Sequence, residues 1–268
     1  MKILTGKLSE FYHNEFTQAA NELGVELQII DPEKINILFG NPSKIFDNNG
    51  NEITGDAFFV RATNTHYKQY TYLAKALHSQ GCIMLDSMDR FTGYAPTKEM
   101  SSIKRAIHGI GAETYSFTPE FIRNNPNKVR ELLPIFVKPI DGKNNVGLKL
   151  VASLEELINY CNTNYILQRE LDIVNEYRVL AYKNPNSWDG YIEDLAVTHK
   201  KTIGLKGKNP KALLKVKSSK IESLLSYIHD KCRDNSYGLI GYDIAELSDG
   251  SFKLIETNFS PQWKRSQD

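Results

Sequence analysis

The sequence predicts an α/β protein that opens with a parallel, doubly wound sheet and ends in an antiparallel hairpin. Three observations predict it. Up to about Leu85, short apolar runs alternate with amphipathic stretches, the pattern of strands joined by crossover helices. Further on, the apolar runs IFVKPI and Leu148–Val151 flank a loop rich in glycine and asparagine. Near the C-terminal end, GLIGYDIAELSDGSFKLIETNFSP places two β-branched-rich runs around Asp249-Gly250, a dipeptide that favours a two-residue hairpin turn.

Composition narrows the class. A chain of 268 residues holds one large or two to three small domains with ample core. With 24% charged residues and a net charge of +1, no global field points to nucleic acid or to a membrane surface. The three cysteines, Cys82, Cys161 and Cys232, are scattered and in no metal-ligand spacing, which fits a reducing cytoplasm. The opening MKILTGKLSE turns polar too soon for a signal peptide, and no apolar run approaches a membrane span. The expectation is a cytoplasmic globular protein.

The elements follow in order. Lys2–Leu4 begins a strand; Ser9 can cap a helix carrying Phe16, Ala19, Ala20 and Leu23, ended by Gly24; Val25–Ile30 returns as a strand. A loop rich in Asn, Pro and Gly follows, with a small hairpin around Asn49-Gly50. Ala57–Val60 reads as a buried strand, Tyr67–Leu77 as a helix closed near Gly81, and Cys82–Leu85 as a strand. Pro96-Thr97-Lys98 opens a helix with Met100, Ile103, Ala106, Ile107 and Ile110 on its apolar face, and Gly109-Ile110-Gly111 ends it. After Thr118-Pro119 comes a short helix, then the strand Ile135–Pro139, interrupted by Lys138. Asp141 to Gly147 forms the polar loop, whose backbone N–H groups can close over phosphates although it lacks the P-loop pattern. Ser153 and Glu156 form a capping box for Leu154–Cys161. Tyr165–Leu171, Glu176–Tyr182 and Tyr191–Val197 read as strands. From His199 to Lys220 there are eight lysines and no acid, either a solvated loop or positive charge for phosphate or an acidic substrate. The run lacks the aromatics that stack bases, which argues against nucleic acid. Ser219 and Glu222 cap a last helix with Ile221, Leu224, Leu225, Ile228 and Cys232 as its stripe.

In the terminal hairpin a two-residue turn pairs Ile244 with Ile255 and sets Asp243 opposite Glu256. Side chains alternate, so both acids share a face with Ala245, Leu247, Phe252 and Leu254, and Asn258 lies two residues beyond Glu256 on that face. Opposed carboxylates on an apolar face repel. Either the acids face water at a frayed end, or the register is shifted by one, or a divalent cation removes the conflict, and an all-oxygen set suits Mg²⁺.

D-x-A/I-x(n)-E-x-N-x-S-P on a terminal hairpin resembles the metal-binding signature of the ATP-grasp superfamily, and within it the RimK-type carboxylate–amine ligases. The resemblance spans most of the chain, loosely at first and tightly from Lys98 onward. It implies an ATP-grasp fold behind an N-terminal Rossmann-like pre-ATP-grasp domain, with boundaries at 1–94, 95–172 and 173–268. The last two segments are the central subdomain with its phosphate-covering loop and the C-terminal subdomain with the metal site. By the same resemblance Lys98 and Lys138 contact ATP phosphates, and Gly142, Asn145 and Gly147 belong to the covering loop. Gln168, Glu170 and Leu171 form the adenine linker, and Arg178 reaches the acyl phosphate. Asp243, Glu256 and Asn258 bind two Mg²⁺ ions, for which Mn²⁺ can substitute. The sequence departs from the family in THKKTIGLKGKNPKALLK, where an arginine, a Phe-x-x-Asn segment and a Gly-Gly pair are usual; Lys200 or Lys201 stands in for the arginine.

The implied activity is ATP-dependent ligation of a carboxylate donor to an amine acceptor, an amino acid, peptide or protein, through an acyl phosphate. A small-molecule kinase and a non-catalytic nucleotide-binding module are the alternatives, and the reading leaves room for a homo-oligomer.

Overall fold

The computed structural model describes residues 1–60, 66–88, 91, 98–140, 147–162, 164–183, 192–200, 213–215, 218–231 and 238–258. In chain order the elements are β1 (Lys2–Gly6), α1 (Glu10–Glu22), β2 (Glu26–Ile30), β3 (Ile35–Leu38), β4 (Lys44–Asp47), β5 (Ala57–Phe59), α2 (Tyr67–Ser79) and β6 (Ile83–Met84). Then come α3 (Lys98–Ile107), β7 (Thr114–Tyr115), α4 (Pro119–Asn124), α5 (Pro126–Arg130), β8 (Ile135–Pro139), β9 (Lys149–Val151), α6 (Leu154–Ile158) and β10 (Tyr165–Arg169). The last are β11 (Ile173–Lys183), β12 (Ile192–Lys200), β13 (Leu213–Lys215), α7 (Ser218–Lys231), β14 (Gly238–Leu247) and β15 (Phe252–Asn258).

The alternation of the first residues yields the expected parallel sheet, in the order β2-β1-β5-β6. Period two along β1 and β5 sends Leu4 and Phe58 into a buried cluster with Leu73, Ala74 and Leu77 of α2. The next residue, Phe59, meets Phe16 of α1 on the other side, with ring centres 5.0 Å apart. Both faces are thus covered, as all-parallel sheets require. The Asn49-Gly50 turn is present, but the larger hairpin there, β3 with β4, closes around residues 39–43 and was not expected.

A second sheet, β7-β10-β8-β9, is antiparallel. Ile135, Val137, Val151 and Leu167 alternate onto one face and bury Ile122, Val129, Leu154 and Leu157 from α4, α5 and α6. Thr118 caps α4 by accepting from the Phe121 N–H at 3.1 Å. Ser153 caps α6 in the same way through Glu156 N–H at 3.2 Å, while the Glu156 carboxylate pairs with Lys149 instead of turning back on the cap.

The third sheet, β13-β12-β11-β14-β15, is antiparallel throughout. Tyr177, Val179, Ile240, Tyr242, Ile244 and Leu254 form its buried face, filled by Leu224 and Ile228 of α7. The helix begins at Ser218, so Ser219 lies in its first turn and accepts from the Ser223 hydroxyl rather than acting as the cap. The lysine-rich segment contains one more strand than expected, β13, paired with the end of β12; residues 201–212 lie outside the described set. Gly109-Ile110-Gly111 ends α3 as expected and pins it here: Ile110 joins the buried cluster, and its carbonyl accepts from Leu254 N–H at 2.7 Å and from the Tyr227 hydroxyl at 3.0 Å.

The terminal hairpin differs from expectation at its tip. Leu247 N–H donates to the Ser251 carbonyl, so the loop has three residues, Ser248-Asp249-Gly250, with Gly250 left-handed at φ +81°. This slips the register by one, pairing Ile244 with Leu254, and a bulge at Ile255 then restores Asp243 opposite Glu256. Phe252 and Leu254 consequently lie on the α7 face with Ile244, not beside Asp243 as the unbulged register implied. Among the described residues no helix is long and apolar enough to cross a membrane.

Candidate active site

The third sheet gathers the predicted acids on the face away from α7. On β14, Asp243 lies between Tyr242 and Ile244, both buried against α7, so period two directs it to the opposite side. On β11 the same alternation places Arg178 between Tyr177 and Val179. Register sets Arg178 across from Asp243, Asp243 across from Glu256, and Gly241 across from Asn258. Four candidate residues therefore share one face of three adjacent strands.

Arg178 and Asp243 bond directly. Arg178 Nε donates to Asp243 Oδ1 at 2.6 Å and Nη2 to Oδ2 at 2.5 Å, the two-pronged fit of guanidinium to carboxylate. The Asp243 side chain is only 9% exposed and that of Arg178 29%. Hydrogen bonding to Asp243 raises the arginine pKa above its already high value; burial opposes the rise, and the charges of Asp243 and Glu256 add to it. Glu256 itself is exposed. The pairing of Arg178 with Asp243 was not foreseen. Each residue showed in the sequence as a charge inside an apolar strand, but nothing local aligned strands whose paired residues stand 65 positions apart.

The remaining predicted residues are placed as follows. Lys138 is on β8, opposite Ile166 of β10, with its Nζ 5.5 Å from the centre of the Phe136 ring. It lies on the sheet face away from Val137 and its apolar cluster. Gln168 is buried on β10 and its amide donates to Thr114 Oγ1 at 3.1 Å, across the short strand β7. Glu170 is exposed and Leu171 half-buried in the segment that leaves β10. Arg169 anchors that segment: its backbone N–H donates to Glu113 O at 2.9 Å, and its side chain reaches both Glu113 carboxylate oxygens at 3.3 Å. Gly147 ends the polar loop with φ +79°, and an added Cβ would stand 2.8 Å from Pro139 Cγ, so a bulkier residue is excluded twice over. Lys98 opens α3. Its side chain, together with Gly142 and Asn145, lies outside the described residues. The backbone of Lys200 pairs with Glu176 two residues before Arg178, and its side chain too is outside the described set.

A second polar group on this sheet was also missed. Glu246 accepts from Lys220 Nζ at 2.6 Å, the Tyr177 hydroxyl at 2.7 Å and Asn175 Nδ2 at 2.9 Å. Burial alone would raise the Glu246 pKa; the bonds from Lys220, Tyr177 and Asn175 outweigh it and bring the value below the ordinary one. With Lys220 supplied by α7 and Asn175 and Tyr177 by β11, the group fastens α7 to the sheet.

The acidic face fits a divalent cation. Two carboxylates and the Asn258 amide give only hard oxygen donors, the preference of Mg²⁺. Each Asp243 oxygen accepts a bond from Arg178. Among the described residues no group of three or more His, Cys, Asp or Glu could hold a metal ion.

No family model matches the sequence, and no curated protein matches it. Solved structures do match. The ATP-grasp ligase PsnB, complexed with its minimal precursor, superimposes with a TM-score of 0.70 at 13% identity, over 99% of this chain and 93% of that one. D-alanyl-alanine synthetase A from Vibrio cholerae gives 0.66 at 13% identity, over 97% of this chain and 89% of the other. N5-carboxyaminoimidazole ribonucleotide synthetase from Thermotoga maritima gives 0.60 at 16% identity, over 96% and 68%. Over nearly its whole length, the chain has the ATP-grasp fold.

Proposed function

We propose that the protein is an ATP-dependent carboxylate–amine ligase of the RimK type, with the boundaries 1–94, 95–172 and 173–268 for its three parts. The observation that carries this reading is the register of β11, β14 and β15, which aligns Arg178, Asp243, Glu256 and Asn258 on one sheet face. The fold adds support, since the superimposing structures include ligases, one of them solved with a precursor, Mg and ADP.

A carboxylate resists amine attack because oxide would have to leave. In the proposed reaction a carboxylate oxygen of the donor attacks the γ-phosphorus of ATP and ADP departs, leaving an acyl phosphate. The amine nitrogen then attacks the carbonyl carbon, and phosphate leaves with the bonding electrons while the amine loses a proton. Lys98, Lys138 and Arg178 supply fixed positive charge to the transferring group, with Lys200 in the role of the further arginine usual in the family. Residues 141–147 cover the phosphates and keep water from a hydrolysable intermediate. Gln168, Glu170 and Leu171 border the adenosine, with the Arg169–Glu113 bond fixing the start of that segment. Asp243, Glu256 and Asn258 would hold Mg²⁺, two ions by the family pattern or Mn²⁺ in its place, which supplies neutralisation of phosphate charge. The acceptor is an amino acid, a peptide or a protein, and a peptide is favoured by the precursor-bound likeness.

ADP release, measured with ATP and Mg²⁺ against a panel of amino acids and short peptides, tests the reading. Substrate-dependent ADP that disappears in Glu256→Gln is expected. Absence of ATP binding would overturn it, and a stable phosphorylated product with no condensation would make the protein a kinase.

A further inference from the structure

In this structure the carboxylate that completes the acidic face already has a cation. Asp243, nine-tenths buried, presents both oxygens to the Arg178 fork at 2.6 and 2.5 Å. Across β14 stands Glu256, exposed and close enough for its charge to act on the same guanidinium. For a divalent ion arriving alone, the Arg178 guanidinium therefore offsets part of the negative charge that the two acids would offer by themselves. It must also compete with a planar, bidentate donor, which binds carboxylate more directionally than a point charge does. Phosphate oxygens are the other partner that a guanidinium fork matches.

We propose that Arg178 is an internal counter-cation that holds Asp243 while the site is empty and is drawn off it by the phosphates of the nucleotide. On this account the cation site becomes fully charged only once nucleotide is present, so metal and nucleotide bind with positive coupling. Arg178 is then the positioning residue that sets the order of assembly. This rests on the nucleotide-binding reading above, but the exchange between Arg178 and cation at Asp243 is separable from it. By linkage the coupling is mutual: whatever factor nucleotide adds to cation affinity, the cation adds to nucleotide affinity.

The test uses Mn²⁺ as the probe, with its binding to the full chain followed by electron paramagnetic resonance and without any turnover. In the wild type, Mn²⁺ should bind weakly alone and about tenfold or more tightly with ADP, within the usual range of site coupling. Arg178→Ala should bind Mn²⁺ alone about tenfold more tightly than wild type, and ADP should then add little. Adding Asp243→Asn to Arg178→Ala should remove the gain, which ties it to that carboxylate. Arg178→Lys keeps the charge but not the fork and should fall between, and it serves if the alanine variant does not fold by circular dichroism. Unchanged or weaker Mn²⁺ binding in both Arg178 variants would overturn the proposal, as would tight Mn²⁺ binding to the wild type alone. A wild type whose Mn²⁺ binding ignores ADP, while the Arg178 variants still gain affinity, would instead count against the nucleotide reading and leave the exchange standing.

Discussion

Asp243 and Glu246 stand three positions apart on one strand, point to opposite faces, and meet different fates. Asp243 is turned toward the candidate site and bound by Arg178; Glu246 is turned toward α7 and bound by Lys220, Tyr177 and Asn175. Their substitutions should separate accordingly. Asp243→Asn keeps the shape but removes charge from the cation site, and should lower turnover by roughly three powers of ten, since bound-metal electrostatics supplies several kcal/mol and about 1.4 kcal/mol is a factor of ten. Near-wild-type turnover in steady-state assays would refute the assignment. Glu246→Gln should leave turnover largely intact and lower stability by about 1–3 kcal/mol, the worth of hydrogen bonds to a mostly buried charge. Because the folded Glu246 pKa lies below its ordinary value, its contribution is fully present above that value of 4.5. It is lost as pH falls through the lower, folded one. Urea titrations over that acid range should show the difference between wild type and Glu246→Gln shrinking toward zero; a constant difference would place the bonds elsewhere.

At the scale of elements, β14 connects more of the molecule than its length suggests. It pairs with β11 and β15, carries Asp243 at its centre, and begins at Gly238 against the end of β6 in the N-terminal sheet. Gly238 has φ +99°, and an added Cβ would stand 2.7 Å from both the Leu85 carbonyl and Asp86 Oδ1. Asp86 is itself committed, accepting from the Val60 N–H at 2.7 Å. Gly238→Ala should therefore destabilise by about 2–4 kcal/mol, combining backbone strain of order 1–3 kcal/mol with overpacking of similar size; thermal unfolding checks it, and a neutral result would mean that the two sheets do not meet there. Much at this scale was legible in advance. Period two in YRV and YDI, the alternation of the first strands, and the cap Ser153 all act through neighbours close in sequence. The short strands β7 and β13, of two and three residues, were not legible, because so short a run has no clear period and is a strand only through its partner. The hairpin shows both outcomes: the loop has three residues rather than two, yet the Ile255 bulge restores Asp243 opposite Glu256. The acids face each other through a compensation that no local pattern displayed.

For the whole molecule, the parallel N-terminal sheet, the central antiparallel sheet and the C-terminal sheet were foreshadowed by composition and pattern, while their joints were not. Ile110 pinning α3 to β15 and α7, and Gly238 meeting Asp86, are contacts between segments far apart in sequence. They join the sheet bearing Asp243 to the end of α3 and to the N-terminal sheet. On the proposed function, the protein activates a carboxylate by phosphorylating it. The most direct measurement repeats the substrate panel with every carboxylate labelled in heavy oxygen, followed by mass spectrometry of the released phosphate and of the product. An acyl phosphate broken by an amine leaves one carboxylate oxygen in the phosphate, so the account predicts one heavy oxygen per phosphate and a product that is donor plus acceptor less one water. Phosphate free of heavy oxygen, formed alongside that condensed product, would contradict it.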